Sequence, residues 1–337
     1  MKAAGISVIV CCFNSAARIE LTLRHLLNQE LNTGLNWEII VIDNRSTDDT
    51  ANLATELLQD QAGPIDWKVV NENEPGLTNA RNKGFEEARF NIVLMVDDDN
   101  SLAPDYVQGI WNSFQNNPKV GMVGGTGIAA LESEPPAWFK QYDYCYAIGP
   151  QSDGKQPVEH LYGAGLALRM DLLEKLRNAG FRSLLTDRVG NSLMSGGDTE
   201  LCFAFRLAGY ELVHRHDLTF THHLPSARVN WKYLRRLFSG FGHTKAYMEL
   251  YTSAVSGRPF PTQGKLPFWL DRAIYLGKNL IPDLPILLLG SFIPMEGNGK
   301  LLKALAKLAQ IRRIMTIKAE YYDMFKQVYS LRDTFRA

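Results

Sequence analysis

The sequence contains few cysteines and no long apolar run, and these two shortages narrow the class of protein. Its four cysteines, of which Cys11 and Cys12 are adjacent, form neither a zinc-binding spacing nor a disulfide framework. Such usage is typical of a reducing cytoplasm, and we expect a cytoplasmic protein. No apolar stretch reaches the roughly 18 residues that a membrane-spanning helix requires. The sequence also lacks internal repeats and low-complexity segments.

The chain lacks a net charge as well, but its charges are distributed unevenly. Up to Ser226 it has 18 Lys and Arg against 29 Asp and Glu, a difference of −11. From Ala227 onward it has 18 against 7, a difference of +11. We therefore expect an acidic part, residues 1–226, and a basic tail, residues 227–337, with different roles.

What the sequence does contain is an alternation of strand and helix signals. Short runs rich in Val and Ile predict buried strands, and segments of helical periodicity follow them. The first five predicted strands are Ile6–Val10, Glu38–Ile42, Trp67–Val70, Asn91–Val96 and Val120–Val123. This rhythm predicts an α/β fold with a doubly wound, mostly parallel sheet. A capping-box spacing predicts a helix from Ser46 through Leu58.

After Gly127 the alternation becomes irregular. Residues 131–160 combine several prolines and aromatic residues and predict a long functional loop. Strands are predicted near Gly165–Arg169 and later in the acidic part, with a helix from Asp198 to Ala208 between them. The basic tail is predicted to be largely helical.

Three consecutive carboxylates follow the fourth predicted strand. Asp97, Asp98 and Asp99 come directly after an apolar run, at the end of a strand where open α/β sheets bind their ligands. Clustered carboxylates repel one another, and hard oxygen ligands suit Mg²⁺ or Mn²⁺ bound to substrate phosphates. A solvated acidic turn is the alternative interpretation.

Four segments in order resemble the motifs of family 2 glycosyltransferases. They are Val8–Asn14, Glu38–Asp48, Gly76–Gly84 and Asp97–Asp99. The resemblance extends over the first two-thirds of the chain and implies the GT-A fold, a nucleotide-sugar donor and a divalent metal, Mn²⁺ or Mg²⁺. It implies a catalytic domain over residues 1–226, with a donor half up to about residue 127 and an acceptor half after it.

The resemblance assigns the donor nucleotide to the first strands. Phe13 and Asn14 are expected to bind the nucleotide, with the Phe13 ring stacked on the base. Asp43 is expected to accept the imide N–H of a uracil. Arg81 is expected to reach base or phosphate, and Arg228 to neutralise the diphosphate. The alternatives are a helix cap for Asp43, which we disfavour because Ser46 already supplies a cap, and a solvated helix face for Arg81.

The resemblance also gives different roles to Asp97, Asp98 and Asp99, and it implies a third metal ligand. Asp99 is expected to bind the metal, Asp97 to contact the ribose or share the ion, and Asp98 to point away. His222 is expected to complete the site. Adjacent residues on a strand face opposite ways, so His223 is not expected to reach it.

A second carboxylate cluster, Gly196–Leu201, resembles the segment that supplies the general base. Asp198 is expected to deprotonate the acceptor hydroxyl, which implies a single displacement with inversion. Gly197 stands where the family pattern has glutamate. Glu200 is expected to be structural or to bind the acceptor, and the alternative for both acids is interaction with the helix dipole.

Three further residues are candidates for the sugar and acceptor side. Gly163 and Gly165 lie in a small-residue segment that resembles the family's strand beside the donor sugar, although close packing would explain them equally well. Trp138, in the predicted loop, is a candidate for stacking on an acceptor sugar.

Two other motifs point to different chemistry. Gly125–Ala130 matches a dinucleotide-binding pattern, which we reject because Pro135 and Pro136 prevent the required helix. Asp97–Ser101 matches the motif of haloacid-dehalogenase-like phosphatases, which would use Asp97 as nucleophile. That phosphatase and a non-catalytic nucleotide-binding protein remain the alternative functions.

The basic tail predicts a peripheral membrane element or a helical subdomain that packs on a partner. Leu280–Met295 is apolar but too short and too rich in proline to span a bilayer. Basic helical residues follow it, which favours an anionic surface on the inner face of the plasma membrane. No nucleic-acid-binding module accompanies the charge.

For the acceptor, we expect a glycan or a polyprenyl-linked molecule, in surface polysaccharide or glycolipid assembly.

Overall fold

The computed structural model describes residues 2–115, 117–154, 157–188, 193–260 and 266–336. Within these ranges the strands form one mixed sheet: β1 (Ala3–Cys12), β2 (Trp37–Asp43), β3 (Asp66–Asn71), β4 (Phe90–Asp97), β5 (Asn100–Leu102), β6 (Val120–Leu131), β7 (Leu166–Arg169) and β8 (Glu211–Leu224). The helices are α1 (Ile19–Leu27), α2 (Thr50–Gln61), α3 (Leu77–Glu87), α4 (Tyr106–Gln115), α5 (Phe139–Tyr142), α6 (Met170–Asn178), α7 (Gly197–Leu207), α8 (Trp231–Val255), α9 (Phe268–Leu280), α10 (Leu284–Phe292), α11 (Gly299–Thr316) and α12 (Tyr321–Arg336).

The strand order is β3-β2-β1-β4-β7-β6-β8-β5. β1 pairs in parallel with both β2 and β4, and β2 pairs in parallel with β3. β7 runs antiparallel between β4 and β6, whereas β6 and β8 are parallel. The predicted α/β class, a mostly parallel sheet followed by a helical C-terminal region, is confirmed, and the antiparallel pairs lie in the second half of the sheet.

Both faces of the sheet are covered by helices, because consecutive residues of its central strands point to opposite faces and most of them are apolar. In β1, Ile6, Val8 and Val10 pack on one face, in a core that includes residues of α1, α2 and α4. Ile9 packs on the other face, with residues of α3, α6 and α7. A strand buried on both sides reads as a continuous apolar run, which explains why the sequence predicts it well.

The segment of the rejected dinucleotide motif is part of a strand. β6 continues to Leu131, beyond the predicted end at Val123, and carries Gly125 and Gly127 in its interior. A Cβ atom at Gly125 would collide with the carbonyl oxygen of Leu218, and one at Gly127 with that of Ala147. These glycines therefore allow close backbone packing and do not open a helix, so the rejection is confirmed.

The helix predicted from Ser46 begins later, at Thr50. The Ser46 hydroxyl accepts a hydrogen bond from the backbone N–H of Asn14 at 2.9 Å. The prediction that Ser46 caps α2 is wrong, because its side chain joins two neighbouring loops instead.

The middle of the predicted loop at 131–160 packs against the tail through the buried side chains of Trp138, Phe139, Tyr142, Tyr146 and Ile148. Trp138 contacts Trp231 of α8 with ring centroids 5.8 Å apart, and Tyr146 stacks on Tyr233 of α8 at 6.2 Å. α8 also packs on α7, and Phe203 stacks on Tyr251. The tail therefore shares a core with the sheet.

One segment of the tail differs from the sequence-based expectation. α9, a short 3₁₀ turn and α10 form a helical segment, Phe268–Phe292, that is long and apolar enough to cross a membrane by length and composition. Only 17 % of its most apolar window is buried. Its first half is attached to the helical region, since Phe268 stacks on Tyr321 and Arg272 pairs with Glu249.

Candidate functional site

A cavity of about 960 Å³ lies at the carboxyl ends of β1 and β4. Strand ends, the loop before α7, and α8 all contribute to its wall. The predicted site residues that line it are Phe13, Arg81, Asp97, Asp99, Gly163, Asp198, His222 and Arg228. The structure therefore brings the donor, metal and base candidates into one space.

The three carboxylates after β4 share this cavity but have different partners. Burial raises the pKa of Asp97, and the neighbouring Asp99 carboxylate raises it further. Asp98, expected to point away, also lines the cavity, where it accepts hydrogen bonds from the Ser15 hydroxyl and Arg18. The expectation for Asp98 is wrong, because Arg18 gives its charge a partner inside the site.

Asp99 is enclosed by cationic groups. Its Oδ2 lies 2.6 Å from Nη1 of Arg228, and its Oδ1 lies 3.5 Å from Nε2 of His222. Burial disfavours the ionised form, but His222 and Arg228 hold the pKa of Asp99 below its usual range. His222 donates Nδ1–H to the carbonyl of Tyr146 at 2.7 Å, which leaves Nε2 facing the carboxylate. His223 instead contacts the Ser101 hydroxyl, as predicted from the strand alternation.

Asp97, Asp99 and His222 carry donor atoms that suit a divalent metal ion, but their side chains are not arranged as a complete set of metal ligands. Two carboxylates and an imidazole are donors that Mn²⁺ accepts, and the raised pKa of Asp97 marks a negative charge that a cation would relieve. Within the described ranges, however, no three His, Cys, Asp or Glu side chains are already grouped around a common point for a metal ion. Arg228 pairs with Oδ2 of Asp99, so a metal ion at Asp99 would either compete with Arg228 for Oδ2 or use Oδ1.

The loops after β1 and β2 form the wall expected to hold a nucleotide. Phe13 is 51 % exposed and lines the cavity, so its ring is available for stacking. Asn14 has a left-handed φ of 50°, and its Oδ1 accepts the Thr47 backbone N–H at 2.8 Å. Asn14 therefore fastens one loop to the other and does not itself line the cavity.

Asp43 is the last residue of β2, and only one of its two carboxylate oxygens has a hydrogen-bond partner among the described residues. Its Oδ2 accepts a weak hydrogen bond from the Ser46 backbone N–H at 3.3 Å. Its Oδ1 is buried and has no hydrogen-bond partner among the described residues. An unpartnered buried acceptor is costly, so a donor group of a ligand would stabilise it. Its neighbours Cys12 and Asn44 line the cavity.

Arg81 of α3 lines the cavity and forms an ion pair that the sequence did not indicate. Its Nη1 is 2.7 Å from Oδ2 of Asp187. Burial alone would lower the pKa of Arg81, but Asp187, Asp198 and Asp97 raise it. The alternative of a solvated helix face is therefore wrong for Arg81.

Asp198 stands at the first turn of α7 with its carboxylate toward the cavity. Its Oδ2 accepts the backbone N–H of Gly163 at 2.7 Å, and its Oδ1 accepts that of Thr199 at 2.7 Å. A Cβ atom at Gly163 would lie 3.0 Å from Asp198 Oδ2, so a glycine there lets the backbone approach the carboxylate. These contacts fix the orientation of Asp198 and leave it half-buried at the cavity wall.

Besides Asn14 and Asp43, three further predicted residues are not part of the cavity wall. Gly165 has a φ of 66°, and its carbonyl accepts the Tyr106 hydroxyl, which supports close packing. Trp138 is buried in the aromatic cluster with Trp231 and is not part of the cavity wall. Glu200 is fully buried, so the structure supports its structural role and not acceptor binding.

Several residues that line the cavity were missed by the sequence analysis. Asp187 and Arg188 lie in a segment without a recognised motif. Six residues of α8 also line it: Tyr233, Leu237, Phe241, Thr244, Lys245 and Met248. For α8 the only available signal was its density of aromatic residues, which could not identify the face that meets the sheet.

The comparison with protein families gives one match. The family model described as glycosyl transferase family 2 matches residues 7–177, which is half of the chain. That range begins in β1 and ends in α6, and it includes the acidic run at the end of β4.

Two curated proteins and one solved structure are similar to the chain. Glucosyl-dolichyl phosphate glucuronosyltransferase of Haloferax volcanii is 25% identical over 292 residues, 82% of this chain and 87% of that protein. Poly-beta-1,6-N-acetyl-D-glucosamine synthase of Staphylococcus epidermidis is 30% identical over 146 residues, 43% of this chain and 34% of that protein. The structure is the mannosyltransferase PcManGT from Pyrobaculum calidifontis in complex with GDP-Man and Mn²⁺. It aligns with a TM-score of 0.54 and 19% identity over 99% of this chain and 85% of that one.

We predict that Glu200→Ala destabilises the fold. The Glu200 carboxylate accepts hydrogen bonds from Ser183, the backbone of Leu184 and Leu185, and the Tyr251 hydroxyl, and all four donors would lose their partner. Loss of such a buried network costs about 3 kcal/mol, measurable by urea unfolding. The exposed Glu56→Ala of α2 is the control and should change stability by less than about 0.5 kcal/mol. Equal stability of the two variants would contradict the structural role.

Proposed function

The chain belongs to glycosyl transferase family 2, and from this premise we propose an inverting, metal-dependent glycosyltransferase that uses a UDP-sugar. The acceptor is a hydroxyl group of a polyprenyl-linked glycan, in the assembly of a surface polysaccharide or glycolipid. One observation carries the proposal: Asp97 and Asp99 share a single cavity with the candidate base Asp198. The family match also favours a transferase over the phosphatase alternative for Asp97.

The uracil preference rests on the wall formed after β1 and β2. The unpartnered Oδ1 of Asp43 offers an acceptor for the imide N–H of uracil. Phe13, half-exposed at the cavity, offers a ring for stacking. The structurally similar mannosyltransferase binds GDP-Man, so the base must be tested directly.

Asp97, Asp99 and His222 would hold the metal ion, Mn²⁺ or Mg²⁺. Bound there, the ion supplies positive charge to the diphosphate of the donor. Arg228 would then exchange Asp99 for a phosphate oxygen, because its guanidinium can pair with either anion. The Mn²⁺ of the similar structure supports this assignment.

Asp198 acts as the general base. It accepts the proton of the acceptor hydroxyl while that oxygen bonds to the anomeric carbon, and the bond from this carbon to the β-phosphate oxygen breaks to release the nucleoside diphosphate. A single displacement by one base inverts the anomeric configuration. Hydrogen bonds from Gly163 and Thr199 hold the carboxylate in place.

The acceptor side is formed by the segment after residue 127 and by α8. The relative from Haloferax volcanii is named for a glucosyl-dolichyl phosphate, which supports a lipid-linked sugar as acceptor. The absence of a Gln-x-x-Arg-Trp segment from the sequence favours transfer of one sugar per encounter over processive polymerisation.

An apolar ridge on the tail would hold the enzyme at the membrane. The ridge consists of exposed side chains in and beside α10: Ile281, Leu284, Leu288, Leu289, Phe292 and Ile293. α10 packs on the start of α11, where Lys300 and Lys303 are exposed, and Lys278 is exposed on α9. Apolar side chains next to cations match the chemistry of an anionic lipid surface. We propose peripheral attachment to the cytoplasmic face.

We predict that UDP binds with higher affinity in the presence of Mn²⁺ than in its absence. The physical reason is that the ion links the buried carboxylates to the diphosphate. Isothermal titration calorimetry with UDP, GDP and dTDP measures both the metal dependence and the base preference. Failure of all three nucleotides to bind with Mn²⁺ would refute the donor site, and preference for GDP would refute the uracil assignment.

We predict that Asp198→Asn retains UDP affinity and loses sugar transfer by a factor of about 10² to 10⁴. The amide keeps the shape of the side chain but cannot take the proton. Release of UDP from UDP-glucuronic acid, UDP-glucose and UDP-N-acetylglucosamine, with glucosyl polyprenyl phosphate as acceptor, measures transfer. Normal turnover of the variant would refute the base assignment, and UDP binding by a wild-type protein that turns over none of these donors would favour the non-catalytic alternative.

We predict that the pair of substitutions Leu288→Asp and Phe292→Asp abolishes flotation with phosphatidylglycerol vesicles. Two new carboxylates on the ridge oppose insertion and are repelled by the anionic surface. Leu21→Asp, a change at an exposed leucine of α1, is the control and should float like the wild type. Unchanged flotation of the double variant would refute the membrane assignment.

A further inference from the structure

The guanidinium of Arg81 is surrounded by carboxylates and pairs with only one of them. Asp187 accepts its Nη1 at 2.7 Å, and both side chains are nearly inaccessible, at 9% and 2% exposure. Asp198 and Asp97 also contribute to the field at Arg81. In the described part of the chain no ion pair joins Arg81 to Asp198.

The position of Asp187 is fixed by its backbone and by α7. Asp187 has a left-handed φ of 56°, which is uncommon for a residue with a side chain. Its Oδ1 accepts the backbone N–H of Gly196 at 3.0 Å, while Oδ2 faces Arg81. The carboxylate is therefore held between the beginning of α7 and the guanidinium.

Arg81 is also close to the candidate base. A Cβ atom at Gly163 would lie 2.8 Å from Nη2 of Arg81 and 3.0 Å from Oδ2 of Asp198, so both groups border the same α-carbon. An arginine without its own counter-ion at this place would pair with Asp198. Such a pair would lower the basicity of Asp198 and hold it away from an acceptor hydroxyl.

We propose that Asp187 is a positioning residue: it holds Arg81 in an ion pair and thereby keeps Asp198 free to act as the base. This inference rests on the proposed function, because it concerns the base of that reaction. Asp187 does not contact the reacting atoms in this role and acts through Arg81.

The geometry at Gly197 gives the inference a specific test. A Cβ atom at Gly197 would lie 2.8 Å from Oδ2 of Asp187 and 3.3 Å from Nη1 of Arg81. A side chain at position 197 would therefore enter the space that the Asp187 carboxylate occupies. A carboxylate at position 187 or at position 197 could form an ion pair with Arg81, but the two side chains would occupy the same space.

The experiment compares Asp187→Gly, Gly197→Glu and the double variant that carries both changes. Glycine accepts the left-handed φ at 187, so the carboxylate is removed without backbone strain. We expect kcat of UDP-sugar transfer to fall about 10- to 100-fold in Asp187→Gly, while the Kd for UDP with Mn²⁺ stays within about threefold. Gly197→Glu should also lose activity because of crowding, and the double variant should recover most of the wild-type kcat.

The pH profile separates positioning from a purely structural role. When Arg81 pairs with Asp198, it stabilises the ionised carboxylate, so the acidic limb of kcat should move to lower pH in Asp187→Gly. Asp187→Asn, which keeps the side-chain shape, should show the same shift and is used if the glycine variant unfolds. Asp217→Asn is the control: its carboxylate pairs with Arg215 and is 63% exposed, and its loss should leave the profile unchanged.

Three results would overturn the proposal. They are wild-type kcat in both Asp187 variants, an unshifted acidic limb in those variants, and a folded double variant that binds UDP but remains as slow as Asp187→Gly. A wild-type protein that transfers no sugar would instead refute the proposed function, so the two failures are distinguishable.

Discussion

The structure depends on the pairing of buried carboxylates with arginines around one cavity. Asp98 meets Arg18, Asp99 meets Arg228, and Asp187 meets Arg81. A carboxylate removed from water without a partner tends to become protonated, and a protonated group cannot serve as a metal ligand or base. Each arginine lowers the pKa of its partner carboxylate, which burial raises, and at Asp99 this effect prevails together with that of His222. The three arginines come from the residue before α1, from α3 and from the segment after β8, which the sheet brings together at one end of its strands.

The helical tail contributes directly to the cavity. α8 contributes one wall of the cavity and shares a core with α7, whose first turn carries Asp198. α11 packs on α8 and on α10, which bears the apolar ridge. The apolar ridge and the cavity wall formed by α8 thus belong to one packed set of helices, although the acidic and basic parts of the chain differ so clearly in composition.

The sequence predicted the sheet well, because the sheet depends on local patterns. The apolar run before Asp97 required burial on both faces. The family resemblance pointed to His222, and the alternation of strand residues allowed only one of His222 and His223 to lie beside Asp99. The errors arose where a side chain bonds across loops or across the tail. Ser46 joins Asn14 instead of capping α2, and Asp187 reaches Arg81 over more than a hundred residues of sequence. No local spacing encodes such contacts, and Trp138 was misplaced for the same reason.

The loops that form the wall proposed to bind the nucleotide are joined to one another by hydrogen bonds, and this affects the affinity for a ligand. Asn14 is tied to Thr47, and Asn44 joins the Gly76 backbone N–H at 2.7 Å and the Glu74 carbonyl at 2.7 Å. The loops after β1 and β2 and the entry to α3 are thus connected to one another by side-chain amides. Their conformational entropy is reduced before any ligand arrives, so binding of the base loses little free energy to loop ordering. Selectivity at this wall then reflects the fit of a rigid surface, and a base of the wrong shape cannot be accommodated by movement of one loop alone.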